Sequence, residues 1–146
     1  MDARRAADEA EIRRRIDGLV EGLRARDLES LEGLYTADVV SFDVEPPLQH
    51  FGVDAKLKNW AKVFAVFGEV TYEFRELTFA VGDDVAFGHG FGRLGGTLGT
   101  GEAVKGTWVR VTFGFRRIDG VWVIAHDQVS VPVDMATGMG VAGLEP

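Results

Sequence analysis

From Asp8 to Arg26 the apolar residues Ile12, Ile16, Leu19, Val20 and Leu23 recur at helical spacing, with Glu9, Glu11, Arg13, Arg14 and Arg15 on the other faces. This pattern predicts an amphipathic helix. Asp27 is a good N-cap for a short second helix carrying Leu28, Leu31, Leu34 and Tyr35. An irregular stretch, 36–52, holds Pro46 and Pro47; beyond it Val53, Leu57, Trp60, Phe64 and Phe67 mark a third helix that stops at Gly68. The period then changes to two. Val70, Tyr72 and Phe74 alternate, and Leu77, Phe79 and Val81 continue on a shifted phase that predicts a bulge near Arg75 and Glu76. Three long β segments follow at 85–94, 104–117 and 121–131, the last two joined through Asp119-Gly120, a strong hairpin signal.

Three helices ahead of a meander predict an α+β domain with its helices on one face of an antiparallel sheet. Gly82, Gly88, Gly90, Gly92, Gly95, Gly96, Gly99 and Gly101 concentrate in one stretch of the β region. Glycine inside strands marks bends or the close approach of another group, so the sheet is expected to curve strongly and to enclose a pocket.

Composition narrows the function classes. The 146 residues suit one domain (1–146), with 133–146 a candidate flexible tail. Acidic residues number 23 against 16 basic, a formal charge of −7, which opposes binding to nucleic acid or an anionic membrane. The arginines of the first helix read as a solvated face, because Glu9 precedes Arg13 and Glu11 precedes Arg15 in the favourable order for helix-surface pairs. Without cysteine there is no disulfide framework or thiolate site. A charged N-terminus and no apolar run long enough to span a bilayer lead to the expectation of a cytoplasmic protein without membrane contact.

Gly90-Phe91-Gly92-Arg93-Leu94-Gly95 matches the letters of a dinucleotide-binding motif but runs along a strand with no helix after it. His50, His89 and His126 lack metal-site spacing, and no metal or cofactor is expected. The informative residues are polar ones inside apolar strands, because burying such groups is costly unless they are paired or used. Trp108, Arg110 and Thr112 share one face of their strand; Trp122, Ile124, His126, Gln128 and Ser130 oppose Ala125, Asp127 and Val129 on theirs. Periodicity alone leaves open which face is concave.

The order of elements, the segment Tyr35-Thr36-Ala37-Asp38-Val39-Val40-Ser41-Phe42-Asp43 and the ending Arg116-Arg117-Ile118-Asp119-Gly120-Val121-Trp122-Val123-Ile124-Ala125-His126-Asp127-Gln128-Val129-Ser130-Val131-Pro132 resemble the SnoaL-like and ketosteroid isomerase-like branch of the nuclear transport factor 2-like superfamily. That resemblance implies a cone-shaped sheet around a small-molecule site. It places Asp43 where ketosteroid isomerases keep their general base, while Leu19 and Thr112 stand at the positions of the oxyanion-binding tyrosine and aspartate. It also places His89, Phe91, Arg93, Trp108, Arg110, Thr112 and Asp127 on the concave side, with Arg110 and Asp127 similar to part of a limonene epoxide hydrolase arrangement. A cross-strand ion pair between Arg110 and Asp127 is the structural alternative. Trp122, His126, Gln128 and Ser130 then lie on the convex face, where the resemblance implies a homodimer.

The expected function is acid/base chemistry on a hydrophobic, oxygenated small molecule: an isomerase, cyclase or hydratase. Asp43, His89, Arg110 and Asp127 are the catalytic candidates; Trp60, Phe64, Phe91, Arg93, Trp108 and Thr112 are the substrate-binding candidates. The alternative is a non-catalytic binding or dimerisation module, similar to the association domain of calcium/calmodulin-dependent kinases.

Overall fold

The computed structural model describes residues 2–146. Helix α1 spans Ala3–Ala25 and starts earlier than the apolar period, because Asp2 caps it by accepting the Arg5 N–H at 2.8 Å. It buries Ile12, Ile16, Leu19 and Leu23. Its Glu9–Arg13 pair forms at 3.2 Å. Glu11 instead accepts the backbone N–H of Trp122, and Arg15 donates to Gly33 O. Helix α2 (Leu28–Glu32) is capped by Asp27, and α3 covers Val53–Val66.

The expected order of elements needs one correction. Strand β1 (Tyr35–Phe42) and the short β2 (His50–Phe51) precede α3, so Tyr35 opens a strand and does not extend α2. The segment had looked irregular because its burial is split, with Tyr35, Thr36, Val39 and Ser41 inside and charged or exposed residues between them. After α3 come β3 (Phe67–Val81), β4 (Val85–Leu98), β5 (Ala103–Val104), β6 (Trp108–Ile118) and β7 (Val121–Ser130). Residues 133–146, expected as a tail, contain a separate hairpin of β8 (Val133–Asp134) and β9 (Met139–Gly140).

The main sheet runs β2-β1-β7-β6-β4-β3, with β5 on β4. It is mixed, not wholly antiparallel, because β1 lies parallel to β7 through Val40↔His126, Ser41↔Asp127 and Phe42↔Gln128. α1 packs on β3 and β7, and α3 on β1 and β3, so the helices close over the concave face.

Two of the sheet's register shifts bear on which side chains face inward. On β3, Arg75 pairs with Phe91 and the next partner is Thr78↔His89; Glu76 takes a left-handed φ of 59° at this break. On β7, Ile124 pairs with Phe115 and His126 with Gly114, leaving Ala125 unpaired. Because of that extra residue, Trp122 and Ile124 point inward, as do Asp127 and Val129, while His126 points outward. The β6–β7 turn places Asp119 and Gly120 at φ 51° and 79°, the geometry a two-residue hairpin requires.

The glycines of β4 have a specific use. Gly88, Gly90 and Gly92 face inward, where the neighbouring strand sends large side chains: an added Cβ would stand 2.5 Å from the Phe79 ring at Gly88, 3.0 Å from Leu77 at Gly90 and 2.5 Å from the Tyr72 hydroxyl at Gly92. β4 is bare inside so that β3 can fill the concavity.

Candidate functional site

The concave face divides into a packed half and an open half. In the packed half, Phe79, Phe115, Trp122, Ile124, Ile12 and Ile16 form a core. In the open half a cavity of about 480 Å³ remains between α3 and the sheet, within the size range of small-molecule sites. Its walls are largely apolar, with Leu19 from α1, Val63 from α3, Phe74 from β3, Leu94 from β4, Val109, Val111 and Phe113 from β6, and Val129 from β7.

One helix face and two strand positions bring charge into this apolar space. Lys56, Asn59, Trp60, Val63 and Phe67 recur along one side of α3 and its end and line the cavity. The Lys56 Nζ lies 2.7 Å from Asp127 Oδ2 and 3.0 Å from Ser41 Oγ; the Ser41 hydroxyl donates in turn to Asp127 Oδ1. Ser41 and Asp127 are register partners on parallel strands, which is why the small hydroxyl sits beside the carboxylate. The pair is desolvated: the Lys56 and Asp127 side chains are 11% and 8% exposed. Burial is the largest influence and works against the Lys56 ammonium, but the charge and hydrogen bond of Asp127, together with Tyr35 and Asp43, outweigh it, and the lysine is held protonated above its ordinary range.

Tyr35 and Trp60 flank this group. Trp60 Nε1 donates to the Tyr35 hydroxyl at 3.4 Å, and Lys56 Nζ lies 5.7 Å from the Tyr35 ring centre and 5.3 Å from that of Trp60. Burial pushes the Tyr35 phenol up to about 12, and it moves Tyr72 on the opposite wall in the same direction. Both phenols are therefore neutral at physiological pH. Asp43, half-buried where β1 runs out, lines the mouth with Val44 and Glu45; one of its oxygens accepts the Val44 N–H at 2.7 Å.

Of the candidate residues, the structure brings Asp43, Asp127 and Trp60 to the cavity. Phe64 lies in the core beneath it, its ring 5.2 Å from the Arg26 guanidinium. The other strand candidates belong on the opposite face. His89, Phe91 and Arg93 point outward because the inward positions of β4 are the glycines, and Trp108, Arg110 and Thr112 point outward because Val109, Val111 and Phe113 take the inside of β6. Solvent removes the cost of the charges there. Trp108 lies between the guanidinium groups of Arg75 and Arg93, at 4.4 and 4.6 Å, and Arg93 pairs with Glu73.

Arg110 donates to Ser130 Oγ at 3.1 Å and forms no pair with Asp127, whose cation is Lys56. Trp122 is fully buried and so is no surface residue, whereas His126, Gln128 and Ser130 do lie on the convex side, with His126 Nδ1 2.7 Å from Val40 O. Sequence reasoning missed Lys56, Ser41, Tyr35 and Tyr72. A signal existed for the first: Lys56 interrupts the cavity-facing stripe of α3, four positions before Trp60.

Among the described residues no cluster of three or more histidine, cysteine or acidic side chains could hold a metal ion, and no helix is long and apolar enough to cross a membrane.

Residues 12–134 match the family model of the SnoaL-like domain. A nuclear transport factor 2-like protein of unknown function from Pseudomonas putida is 32% identical, with 97% of this chain and 98% of that one covered and a TM-score of 0.84. A protein from Streptomyces avermitilis, provisionally named a dehydratase, shares the fold at 18% identity, 89% and 99% coverage and a TM-score of 0.77. The dehydrochlorinase LinA does so at 21% identity, 86% coverage of both chains and a TM-score of 0.70. No curated protein matches the sequence.

Proposed function

Because the chain belongs to the SnoaL-like domain family, within the nuclear transport factor 2-like superfamily, we propose that it is an enzyme performing acid/base chemistry on a hydrophobic, oxygenated small molecule held in the cone. The observation that carries this reading is an apolar cavity with a half-buried carboxylate, Asp43, at its mouth and a desolvated ion pair, Lys56–Asp127, in its wall. A carboxylate next to a bound C–H group that is acidified by a carbonyl or a leaving group is the minimal apparatus for enolisation or β-elimination. Asp43 is the base. Asp127, already holding Lys56 and Ser41, is not free to act as one. The names given to the two fold relatives, a dehydratase and a dehydrochlorinase, support the elimination branch.

The test is proton exchange. Cyclohexanone and β-tetralone incubated with the protein in D₂O should exchange the protons beside their carbonyl faster than in buffer, read by proton NMR. Asp43→Asn should lower that rate about 10²-fold with an unchanged fold. An unchanged rate in the variant would remove Asp43 from the mechanism.

One feature favours a second reading, a non-catalytic small-molecule binder: the Ser41–Asp127–Lys56 contacts close on themselves as a structural network would. Ketone binding by NMR line broadening with no exchange above buffer selects that reading.

A further inference from the structure

The hydrogen bonds at the cavity wall leave two donors without a partner. An ammonium has three N–H groups; Lys56 directs one at Ser41 Oγ and one at Asp127 Oδ2, and the third meets no acceptor among the described residues. The Tyr35 hydroxyl receives the Trp60 indole N–H and donates its own proton to no described group. Both side chains line the same cavity, with the Lys56 Nζ 5.7 Å from the centre of the Tyr35 ring. An acceptor brought there would be met by one charged and one neutral donor, in a place where water competes little.

The rest of the site indicates what that acceptor is. Asp43, Glu45 and Asp127 outnumber Lys56 and Lys62 around the cavity, so it has no excess of positive charge to select a carboxylate or phosphate group. The charge this pair would meet is a single oxyanion formed on a ligand oxygen. We propose that Lys56 and Tyr35 form an oxyanion-holding pole for an uncharged ketone or enone, and that Asp127 is the positioning residue that keeps the Lys56 ammonium at the cavity wall. This pole rests on the reading of Asp43 as the base. In the step it serves, the C–H bond beside the carbonyl breaks and its proton goes to the Asp43 carboxylate. The bonding pair becomes a C=C bond, and the carbonyl π pair moves onto oxygen, where the Lys56 N–H and the Tyr35 O–H meet it. Return of the proton from Asp43 to the same or another carbon restores the carboxylate with no change of oxidation state. Of the two positions to which the resemblance assigned oxyanion donors, Leu19 lines the cavity with an apolar side chain and Thr112 faces away from it, so the donors of the pole come from β1 and α3. The burial that keeps Tyr35 neutral and the Asp127 charge that keeps Lys56 protonated both hold these donors in their donating forms.

The experiment uses 4-nitrophenol, whose phenol and phenolate forms differ in colour, titrated with the full chain over a range of pH by absorbance. The wild-type protein should bind phenolate at least about tenfold more tightly than phenol, as expected for a charge-assisted hydrogen bond. Tyr35→Phe, which leaves the ion pair intact, should reduce that preference several-fold. Lys56→Met/Asp127→Asn, which removes both charges together, should abolish it. In Asp127→Asn alone the preference should vanish at a lower pH than in the wild type, because the burial of Lys56 has then lost its main opposing charge; a merely structural Asp127 would not move that midpoint. Equal binding of the two forms by the wild type, no binding at millimolar nitrophenol, or a preference untouched by both Tyr35→Phe and the double substitution overturns the pole. Ketone exchange that depends on Asp43 without any phenolate preference leaves the base standing and removes the pole. A phenolate preference that depends on Lys56 without ketone exchange does the reverse.

Discussion

The two ends of the concave sheet carry the same chemical unit in opposite settings. At the closed end Arg117 stacks 5.3 Å from the Trp122 ring and pairs with Asp8 at 3.1 Å; at the open end Lys56 lies 5.3 Å from the Trp60 ring and pairs with Asp127 at 2.7 Å. Each is a cation over an indole, held by a carboxylate. At the closed end the Trp122 indole N–H also donates to Asp8, and Trp122 packs in one core with Phe79, Phe115 and Ile124, so the unit ties α1 to β6 and β7. At the open end the same unit borders an empty volume. Chemistry becomes available where burial desolvates a charge pair without surrounding it on all sides.

Removing the carboxylate at each end tests this contrast with the largest expected effect. Asp127→Ala leaves a buried ammonium unpaired and should cost about 3–5 kcal/mol in urea denaturation. Adding Lys56→Met should recover most of that loss, since the double variant buries no charge. Asp8→Ala should cost less, on the order of 1–2 kcal/mol, because Arg117 is more exposed and keeps Asp84 at 3.7 Å. Equal losses at the two ends would mean that the open-end pair is as well solvated as the other.

The open end should also fail first in alkali. Tyr35 is raised from 10.0 to about 12 in the folded state, so its stabilising contribution is complete below pH 10.0 and is lost as pH rises through the folded value. Lys56, raised from 10.5, acts with the same sign and starts to lose its contribution slightly higher. Stability should therefore be flat near neutrality and fall above about pH 10, by roughly 2 kcal/mol from the tyrosine alone. Tyr35→Phe should flatten the first part of that fall. A fall that starts near pH 7 would place the controlling group elsewhere.

The closed end was more legible in the sequence than the open one, for a physical reason. Packing imposes periodicity, so Ile12 and Ile16 on α1, the bulge near Glu76 and the Asp119-Gly120 turn could all be read from spacing. A cavity imposes no such pattern. Lys56 falls outside the apolar spacing that marked the third helix and so was passed over, and Tyr35 read as the end of α2. The faces of β4 and β6 were assigned through the resemblance, because periodicity left them open, and they came out reversed; the glycines at 88, 90 and 92 and the apolar residues Val109, Val111 and Phe113 mark the inside. The single unpaired residue at Ala125 inverts the phase of β7 midway, so Trp122 and Asp127 can both face inward. Asp43 reached the mouth through resemblance, not periodicity.

Glycine substitutions on β4 compare the two ends more finely. At Gly88 an added methyl meets the Phe79 ring, which is held between the Arg13 guanidinium at 4.7 Å and the Phe115 ring at 6.0 Å. That ring has no space to enter, so Gly88→Ala should cost about 2–3 kcal/mol by thermal or urea unfolding. At Gly92 the methyl meets the Tyr72 hydroxyl, but Tyr72 borders the cavity and can swing into it. Gly92→Ala should cost nearer 1 kcal/mol and show its main effect as weaker binding of the ketone probes. The reverse order would show that the cavity wall is the more rigid of the two.

The smallest expected effects are on the outer face, and they are the check on its orientation. Among the described residues the Arg110 side chain bonds only to Ser130 Oγ, and His89 stacks loosely on Phe87 at 6.5 Å; both side chains are on the far side of the sheet from the cavity. Arg110→Ala and His89→Ala should each change stability by less than about 0.5 kcal/mol, as substitutions at exposed positions without a network do. Neither should alter ketone exchange or nitrophenol binding, because no side chain on that face can contact a ligand held between α3 and Val111 without passing through the backbone of β6 or β4. A loss of probe binding in Arg110→Ala with the fold intact would require the guanidinium to reach through the sheet. It would reverse the face assignment from which the cavity, its polar pole and its contrast with the closed end all follow.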